Sequence, residues 1–254
     1  MISVVLLGAG NVATHLYKAF NKANNISVNQ WFNRSLEPLQ PFKNDVEIID
    51  DLSKLKDTDI YIIAVSDDAV SSLSAKIPIV DKLVVHTSGS VGIHDLDKKN
   101  NRGVFYPLQT FSKDVDINFS EIPICIEIEH KKDLDILKKL STAIGCKSHR
   151  VNSDQRSALH LAAVFVNNFT NQLYRIGHEI TESESVDFNI LKPLIKETAH
   201  KIDNLSPYIA QTGPAKRNDK KTLKKHLKAL DKDIHKEIYE LITKSIQETH
   251  GKKL

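Results

Sequence analysis

Val4-Val5-Leu6-Leu7-Gly8-Ala9-Gly10-Asn11-Val12-Ala13, close to the N-terminus, is the stretch that decides the fold. Four apolar residues in a row read as a buried strand, and an amphipathic helix is predicted directly behind them, from Ala13 to Asn21. Between the two lies Gly-x-Gly-x-x-Ala. Strand, glycine turn and helix in that order make a dinucleotide-binding turn. Gly8 permits the tight turn, Gly10 lets backbone approach a pyrophosphate, and Ala13 replaces a third glycine where helix and strand pack closely. The first turn of the helix then offers unpaired N–H groups and a partial positive charge. Gly8, Ala9, Gly10, Asn11 and Val12 are therefore candidate cofactor-binding residues.

Outward from that turn, strand and helix patterns alternate. Further strands are predicted at 28–32, 46–49, 59–65, 83–85, 103–106, 122–128 and 147–151, with a helix over 132–144. Continuous apolar runs such as Ile60-Tyr61-Ile62-Ile63-Ala64-Val65 suit strands covered on both faces. The predicted class is α/β, a doubly wound, mostly parallel sheet of the Rossmann type, followed by an all-helical part. The change comes near residue 152: beyond it no strand is convincing, and Asn152-Ser153-Asp154-Gln155 reads as a capped helix start. Domains are thus expected at 1–151 and 152–254. In the second, helices are predicted over 154–181, over 187–204 with Pro193 as a kink or a later start, briefly after Ser206-Pro207, and over 220–248. Leu223, Leu227, Leu230, Ile234, Ile238, Leu241, Ile242 and Ile246 give the last helix an apolar stripe.

Composition narrows the class. The chain has 254 residues, 41% hydrophobic and 26% charged, as a soluble globular protein has. A net charge of +3 does not by itself imply a polyanion partner. No apolar run approaches the roughly 20 residues that span a bilayer, and no secretory leader is recognisable, so neither membrane nor export is expected. Cys125 and Cys146 are too few for a disulfide framework. A cytoplasmic protein is the expectation.

The identity of the nucleotide is read at the end of the second strand. An acid there would hold a ribose 2′-hydroxyl; this chain has Asn33-Arg34-Ser35, and its nearest acid is Glu37. An arginine with a hydroxyl suits a 2′-phosphate, so NADP (NADPH) is expected, held by Asn33, Arg34 and Ser35. The fourth strand ends in Ala64-Val65-Ser66-Asp67, placing Ala64, Val65 and Ser66 in the same crevice, with Ser66 and Asp67 read equally well as a helix cap.

Gly8-Ala9-Gly10-Asn11-Val12-Ala13, Asn33-Arg34-Ser35 and Ala64-Val65-Ser66-Asp67 resemble the 6-phosphogluconate dehydrogenase-like group, which includes β-hydroxyacid dehydrogenases and pyrroline-5-carboxylate reductases. More closely, His86-Thr87-Ser88-Gly89-Ser90, Tyr106-Pro107-Leu108-Gln109-Thr110-Phe111, His160 with Asn168-Phe169, and Gly213-Pro214 with Arg217, Asp219 and His226 resemble Rossmann-like proteins carrying a DUF2520 domain. The resemblance implies an NADP-dependent oxidoreductase fold and a homodimer formed through the helical domain. It does not supply a substrate. One departure stands out: β-hydroxyacid dehydrogenases carry a catalytic Lys on the first long helix of the second domain, and the helix predicted over 154–181 contains none.

Candidate chemistry lies on that helix. His160, Val164, Asn167 and Asn171 share a line at 3.6 residues per turn among apolar neighbours. Polar groups so placed need partners, in a core network, a dimer contact or a ligand. Helical period selects Asn167, whereas the family pattern selects Asn168; both are candidates beside His160. A histidine titrates near neutrality and suits delivery of the proton that accompanies reduction of C=O or C=N, with an Asn holding the heteroatom. His86 and Ser88 follow a strand and belong at the same sheet edge, Ser88 as a candidate catalytic hydroxyl and His86 beside the cofactor, unless the turn merely caps the next helix. Gln109 is a further cleft candidate, and Arg217 with His226 could reach a cleft across a dimer.

Residues 216–236 hold nine Lys or Arg against three Asp, but no aromatic interleaves them as stacking on single strands requires, so no nucleic-acid partner is expected. Eleven His include no His-x-x-x-His and none joins Cys at zinc spacing, so no metal is expected. Two readings remain open: an NADP-dependent oxidoreductase reducing a small carbonyl or imine in a cleft between the two halves, and a non-catalytic NADP(H)-binding or sensing dimer.

Overall fold

The computed structural model describes residues 1–113 and 115–250. The chain divides into two compact units between Asn167 and Asn168.

The first unit is built on eight strands: β1 (Ile2–Leu7), β2 (Ile26–Phe32), β3 (Glu47–Ile49), β4 (Ile60–Ile63), β5 (Leu83–His86), β6 (Asn101–Pro107), β7 (Ile124–Ile128) and β8 (Ser148–Arg150). They lie in the order β3-β2-β1-β4-β5-β6-β7-β8. Every pairing is parallel except β6 with β7. Alternation along each strand sorts the apolar side chains to two faces. Val4, Leu6, Ile60, Ile62 and Val85 join one core with helices α1 (Asn11–Lys22) and α3 (Leu134–Ala143). Val5, Leu7, Tyr61, Ile63 and Val84 join the other with α2 (Asp67–Lys76). Both faces are covered, which is why the strands read as unbroken apolar runs.

A fourth helix, α4 (Ser153–Ala163), belongs to this unit although the strand-forming composition ends before it. It is fastened by Arg156, whose side chain is 1% exposed and whose guanidinium pairs with Glu127 of β7 and donates to the Val91 carbonyl. Ser153 adds two bonds to Glu127, from its N–H (3.0 Å) and its hydroxyl (2.9 Å), and its oxygen accepts the Ile93 N–H at 3.1 Å. Asn152 and Gln155 form the reciprocal N-terminal cap that the sequence predicts. The composition changes at 152, where strands stop; the packing changes at 167, beyond the reach of this clamp.

A π-helical segment, Val164–Phe169, continues α4. The second unit then holds α5 (Thr170–Ser183), α6 (Lys192–Asn204), the single-turn α7 (Pro207–Ala210), α8 (Lys220–Ala229) and α9 (Asp233–His250). No strand occurs there among the described residues. Pro193 marks the later start: it sits in the first turn of α6, where its missing N–H costs nothing. The helix predicted over 220–248 is a correction. It is two helices, because Leu230 swings out to φ −83°, ψ 126°. Glu179 of α5 gathers Arg175 (3.0 Å), Lys232 (2.7 Å) and His235 (3.4 Å), and His226 Nδ1 meets the Tyr239 hydroxyl at 2.8 Å. No helix among the described residues is long and apolar enough to cross a membrane.

Candidate active site

The parallel strands β2, β1, β4, β5 and β6 all end at one edge. The order in which strands are added to this sheet reverses between β1 and β4, the place where open α/β sheets bind ligands. Gly8 follows β1 at φ +114°, and a Cβ there would stand 2.2 Å from the Ala64 carbonyl oxygen and 2.8 Å from Val65 Cγ1. Glycine is thus required twice over, by conformation and by the close approach of the β4 end. Gly10 is glycine for a different reason: a Cβ there would meet nothing within 4 Å, so that side of the turn is open. It begins α1 in extended conformation with no side-chain cap, and the first turn carries no acid. Anion-binding N–H groups are therefore left at the edge.

Trp31, which sequence reasoning passed over, holds this turn from below. Its buried indole N–H donates to the Gly8 carbonyl at 2.6 Å, and its ring stacks on Tyr17 at 4.6 Å between centroids. Asn11 is placed at the turn, but its side-chain amide donates to the Phe111 carbonyl at 2.8 Å. His15 donates similarly to the Ser112 carbonyl at 2.8 Å, and both bonds bind the segment after β6 to α1. Ala9 and Val12 pack partly buried against the core.

Arg34 stands exposed just past β2, with no hydrogen bond or ion pair among the described residues. Asn33 and Ser35 shape its loop: the Asn33 amide donates to the Ser35 carbonyl at 2.8 Å, and the Ser35 hydroxyl accepts the Glu37 N–H at 3.3 Å. Ala64 is buried, Val65 is half-buried against Gly8, and exposed Ser66 begins α2 without a side-chain cap bond.

The turn after β5 is packed tightly. His86 is fully buried; burial first, and then the Arg156 charge, push its pKa down to about 4, so the ring is neutral. Its Nδ1 accepts the Ser88 N–H at 3.1 Å. Its Nε2 is buried without a hydrogen-bond partner among the described residues. The Ser88 hydroxyl oxygen accepts the N–H groups of Ser90 and Val91, both at 3.1 Å, and the residue is 7% exposed. Ser90 in turn donates to Asp67.

Gly89, between them, carries a pair of rings. A Cβ on Gly89 would lie 2.6 Å from His160 Nδ1 and 2.8 Å from Tyr106 Cζ. The Tyr106 hydroxyl and His160 Nδ1 are 3.2 Å apart, their rings edge-on at 71°. Tyr106 lies near the carboxyl end of β6 and is 9% exposed; His160 is half-buried one helical turn after Arg156 on α4. Burial raises the Tyr106 pKa to about 12. Sequence reasoning singled out His160 but missed its tyrosine partner, 54 residues away. Gln109 is exposed and its side chain accepts the Thr110 N–H at 2.8 Å. Asn167 and Asn168 both fall in the π-helical segment and are exposed. Arg217 and His226 lie in the second unit, and no group of His, Cys, Asp and Glu among the described residues could hold a metal.

These features fit a dinucleotide. The open side of Gly10, the uncapped and acid-free start of α1, and the unpaired Arg34 at the end of β2 lie on successive strands of one edge. From β2 to β6 that edge measures four strand spacings, about 19 Å.

Residues 122–246 match the model of a domain of unknown function, DUF2520. No curated protein matches the chain in sequence. Among solved structures, a Bacteroides fragilis protein assigned as an NADP oxidoreductase is 36% identical, with a TM-score of 0.87 over 97% of this chain and 98% of that one. A Thermotoga maritima protein is 21% identical with a TM-score of 0.74, covering 98% of both chains. An imine reductase of Myxococcus stipitatus in complex with NADP+ shares the fold at 16% identity, with a TM-score of 0.68 over 98% of this chain and 96% of that one. Sheet order, glycine turn and family match agree, and the chain belongs to the DUF2520 family of Rossmann-type proteins with a helical C-terminal part.

Proposed function

We propose that the protein is an NADP-dependent oxidoreductase that reduces a small carbonyl or imine compound at the carboxyl edge of its sheet. The observation that carries this reading is the placement, on one edge, of an anion-ready helix start after β1 and of a tyrosine–histidine pair beyond β5 and β6. The Bacteroides fragilis relative supports the cofactor class.

The N–H groups at the start of α1, with Gly8 and Gly10, would hold the pyrophosphate. Arg34 and Ser35 would hold the 2′-phosphate. When bound, NADPH supplies the hydride equivalent that reduction of C=O or C=N requires. His160 delivers the accompanying proton. An asparagine holds the substrate heteroatom, and the π segment favours Asn168 over Asn167. A π turn takes about one residue more than an α turn. The position two turns after His160 therefore moves from 167 to 168. The partner is a small-molecule substrate.

We also infer a homodimer formed through the helical unit. Ile190, Leu194, Ile202 and Leu205 are 69%, 61%, 56% and 42% exposed and lie at helical spacing along α6 and its approach. An exposed apolar stripe of this kind supports an interface there.

The second reading, a non-catalytic NADP(H)-binding or sensing dimer, is favoured by one observation: no lysine occurs between Ser153 and Ser183. One experiment separates the two. NADPH should raise the melting temperature by mass action. His160→Ala should then abolish turnover of ketones, keto acids or imines while leaving NADPH affinity within about twofold. Tight NADPH binding without turnover across that panel would favour the sensing reading. Arg34→Ala should weaken NADPH far more than NADH, by about tenfold for a lost charge-assisted bond of about 1.5 kcal/mol. An unchanged ratio would remove the 2′-phosphate role.

A further inference from the structure

We propose that Tyr106 is the positioning residue of His160: its hydroxyl oxygen accepts a hydrogen bond from Nδ1–H, leaving Nε2 as the ring atom that gives and regains the proton. The inference rests on the reading of His160 as the proton donor.

The helix anchor and two contacts fix the ring. Arg156, one turn earlier on the same face of α4, is sealed between Glu127 and the Val91 carbonyl and sets the rotation of the helix. Gly89 then offers a floor with no Cβ, so the Nδ1–Cγ side of the imidazole sits directly over backbone. Tyr106 closes the third side with its hydroxyl 3.2 Å from Nδ1. Nε2, across the ring, has no hydrogen-bond partner among the described residues. The tether and the free nitrogen are thus at opposite ends of one imidazole, the arrangement by which a bond at one nitrogen fixes the chemistry of the other.

Tyr106 does not act as an acid itself. Its phenol stays protonated, with the Cys125 thiol, the Asp67 carboxylate and the Arg156 guanidinium as the titratable or charged groups around it. Cys125 is buried with its own pKa raised, and Arg156 is paired. A neutral hydroxyl can accept from Nδ1–H in both charge states of the ring. Proton accounting then closes. The imidazolium gives its Nε2 proton to the substrate oxygen or nitrogen while the hydride equivalent forms the new C–H bond; the neutral ring keeps Nδ1–H on Tyr106, and solvent returns a proton to Nε2.

The test is Tyr106→Phe in the full chain, which removes the hydroxyl and keeps a ring over Gly89. Nitrogen-resolved imidazole NMR, with the His160 signal assigned by its loss in His160→Ala, reads the tautomer without any substrate. The intact protein should show neutral His160 protonated at Nδ1, and Tyr106→Phe should shift it toward Nε2–H. With substrate, kcat should fall about 10- to 100-fold while KM and NADPH affinity hold. A His160 tautomer that is the same in both proteins overturns the proposal. Gly89→Ala, which displaces the ring from another side, should cause the same tautomer shift and serves if Tyr106→Phe does not fold. If instead His160→Ala keeps full turnover, the proton-donor reading fails, whatever the NMR shows of the Tyr106 bond.

Discussion

The two units treat apolar residues in opposite ways. In the sheet unit, Val4, Val5, Leu6, Leu7, Ile60, Ile62 and Ile63 are all 0% exposed. In the helical unit, Ile176, Ala215 and Leu223 are the only buried apolar residues among those described, at 9%, 8% and 9% exposed, while Ile190, Leu194, Tyr208, Ile209 and Leu241 are each 59% exposed or more. Both regions show clean apolar periodicity. Periodicity says that a face is apolar; it does not say whether the same chain covers it. The sheet itself is covered on both faces by helices of its own unit, and that unit leaves large apolar side chains open chiefly at its end, where Leu161, Phe165 and Val166 are 60%, 61% and 74% exposed. The helical unit leaves stripes that only another surface can cover, which is the physical content of the proposed dimer.

That contrast can be broken from either side, and the largest effect is expected at the clamp that binds α4 to the sheet. Arg156→Met leaves Glu127 without its partner in a site where the carboxylate is only 15% exposed. Removal of one member of such a pair costs about 3–5 kcal/mol, read by denaturant unfolding. The double variant with Glu127→Leu should recover much of it. A loss below about 1 kcal/mol for Arg156→Met would show that α4 is held by something else.

Next comes the acid response of the sheet unit. The His86 pKa is about 4 in the fold and about 6.5 in the unfolded chain, so the unfolded chain takes up this proton first. The contribution is intact above pH 6.5 and shrinks as pH falls, by about 3 kcal/mol in all once pH passes 4. His86→Gln cannot titrate and should flatten that part of the stability curve. An unaltered slope would mean that another group carries the effect.

The glycine turn offers a finer test within one motif. Gly8→Ala forces a Cβ onto the Ala64 carbonyl at positive φ and should cost about 1–3 kcal/mol. Gly10→Ala should barely alter melting yet weaken NADPH binding, since its Cβ enters open space where a pyrophosphate would lie. If both variants bind NADPH normally, the turn is not the phosphate site.

The smallest change in chain stability is expected in the helical unit. Ile190→Glu with Leu194→Glu replaces exposed side chains and should alter the folding of a monomer by no more than about 0.5 kcal/mol per site. The same pair should shift sedimentation from dimer to monomer. A monomeric parent protein would remove the interface.

What could be read in the sequence was whatever repeats over short spacing. Val4–Ala13 shows its strand, turn and helix in consecutive residues, and the buried strands are marked by unbroken apolar runs. What escaped depends on pairings across long separations or on helix phase. The bond from Trp31 to Gly8 spans 23 residues and that from Tyr106 to His160 spans 54. The side-chain amide of Asn11, at the start of α1, is engaged 100 residues away by the Phe111 carbonyl. The break after Leu230 is hidden because Leu230 and Ile234 keep a spacing of four whether or not the helix is continuous. The π segment Val164–Phe169 has no composition cue, and the proposed choice of Asn168 over Asn167 rests on it.

Trp31 has one more consequence. It is the sole tryptophan of the chain, fully buried, with its indole nitrogen bonded to the turn at Gly8. The molecule therefore contains a single indole fluorophore, insulated from solvent and fixed beside the turn that would take a pyrophosphate. Its emission under indole-selective excitation is a local optical gauge beside that turn, able to follow occupancy in real time without a label, and the helical unit carries no tryptophan to add to it.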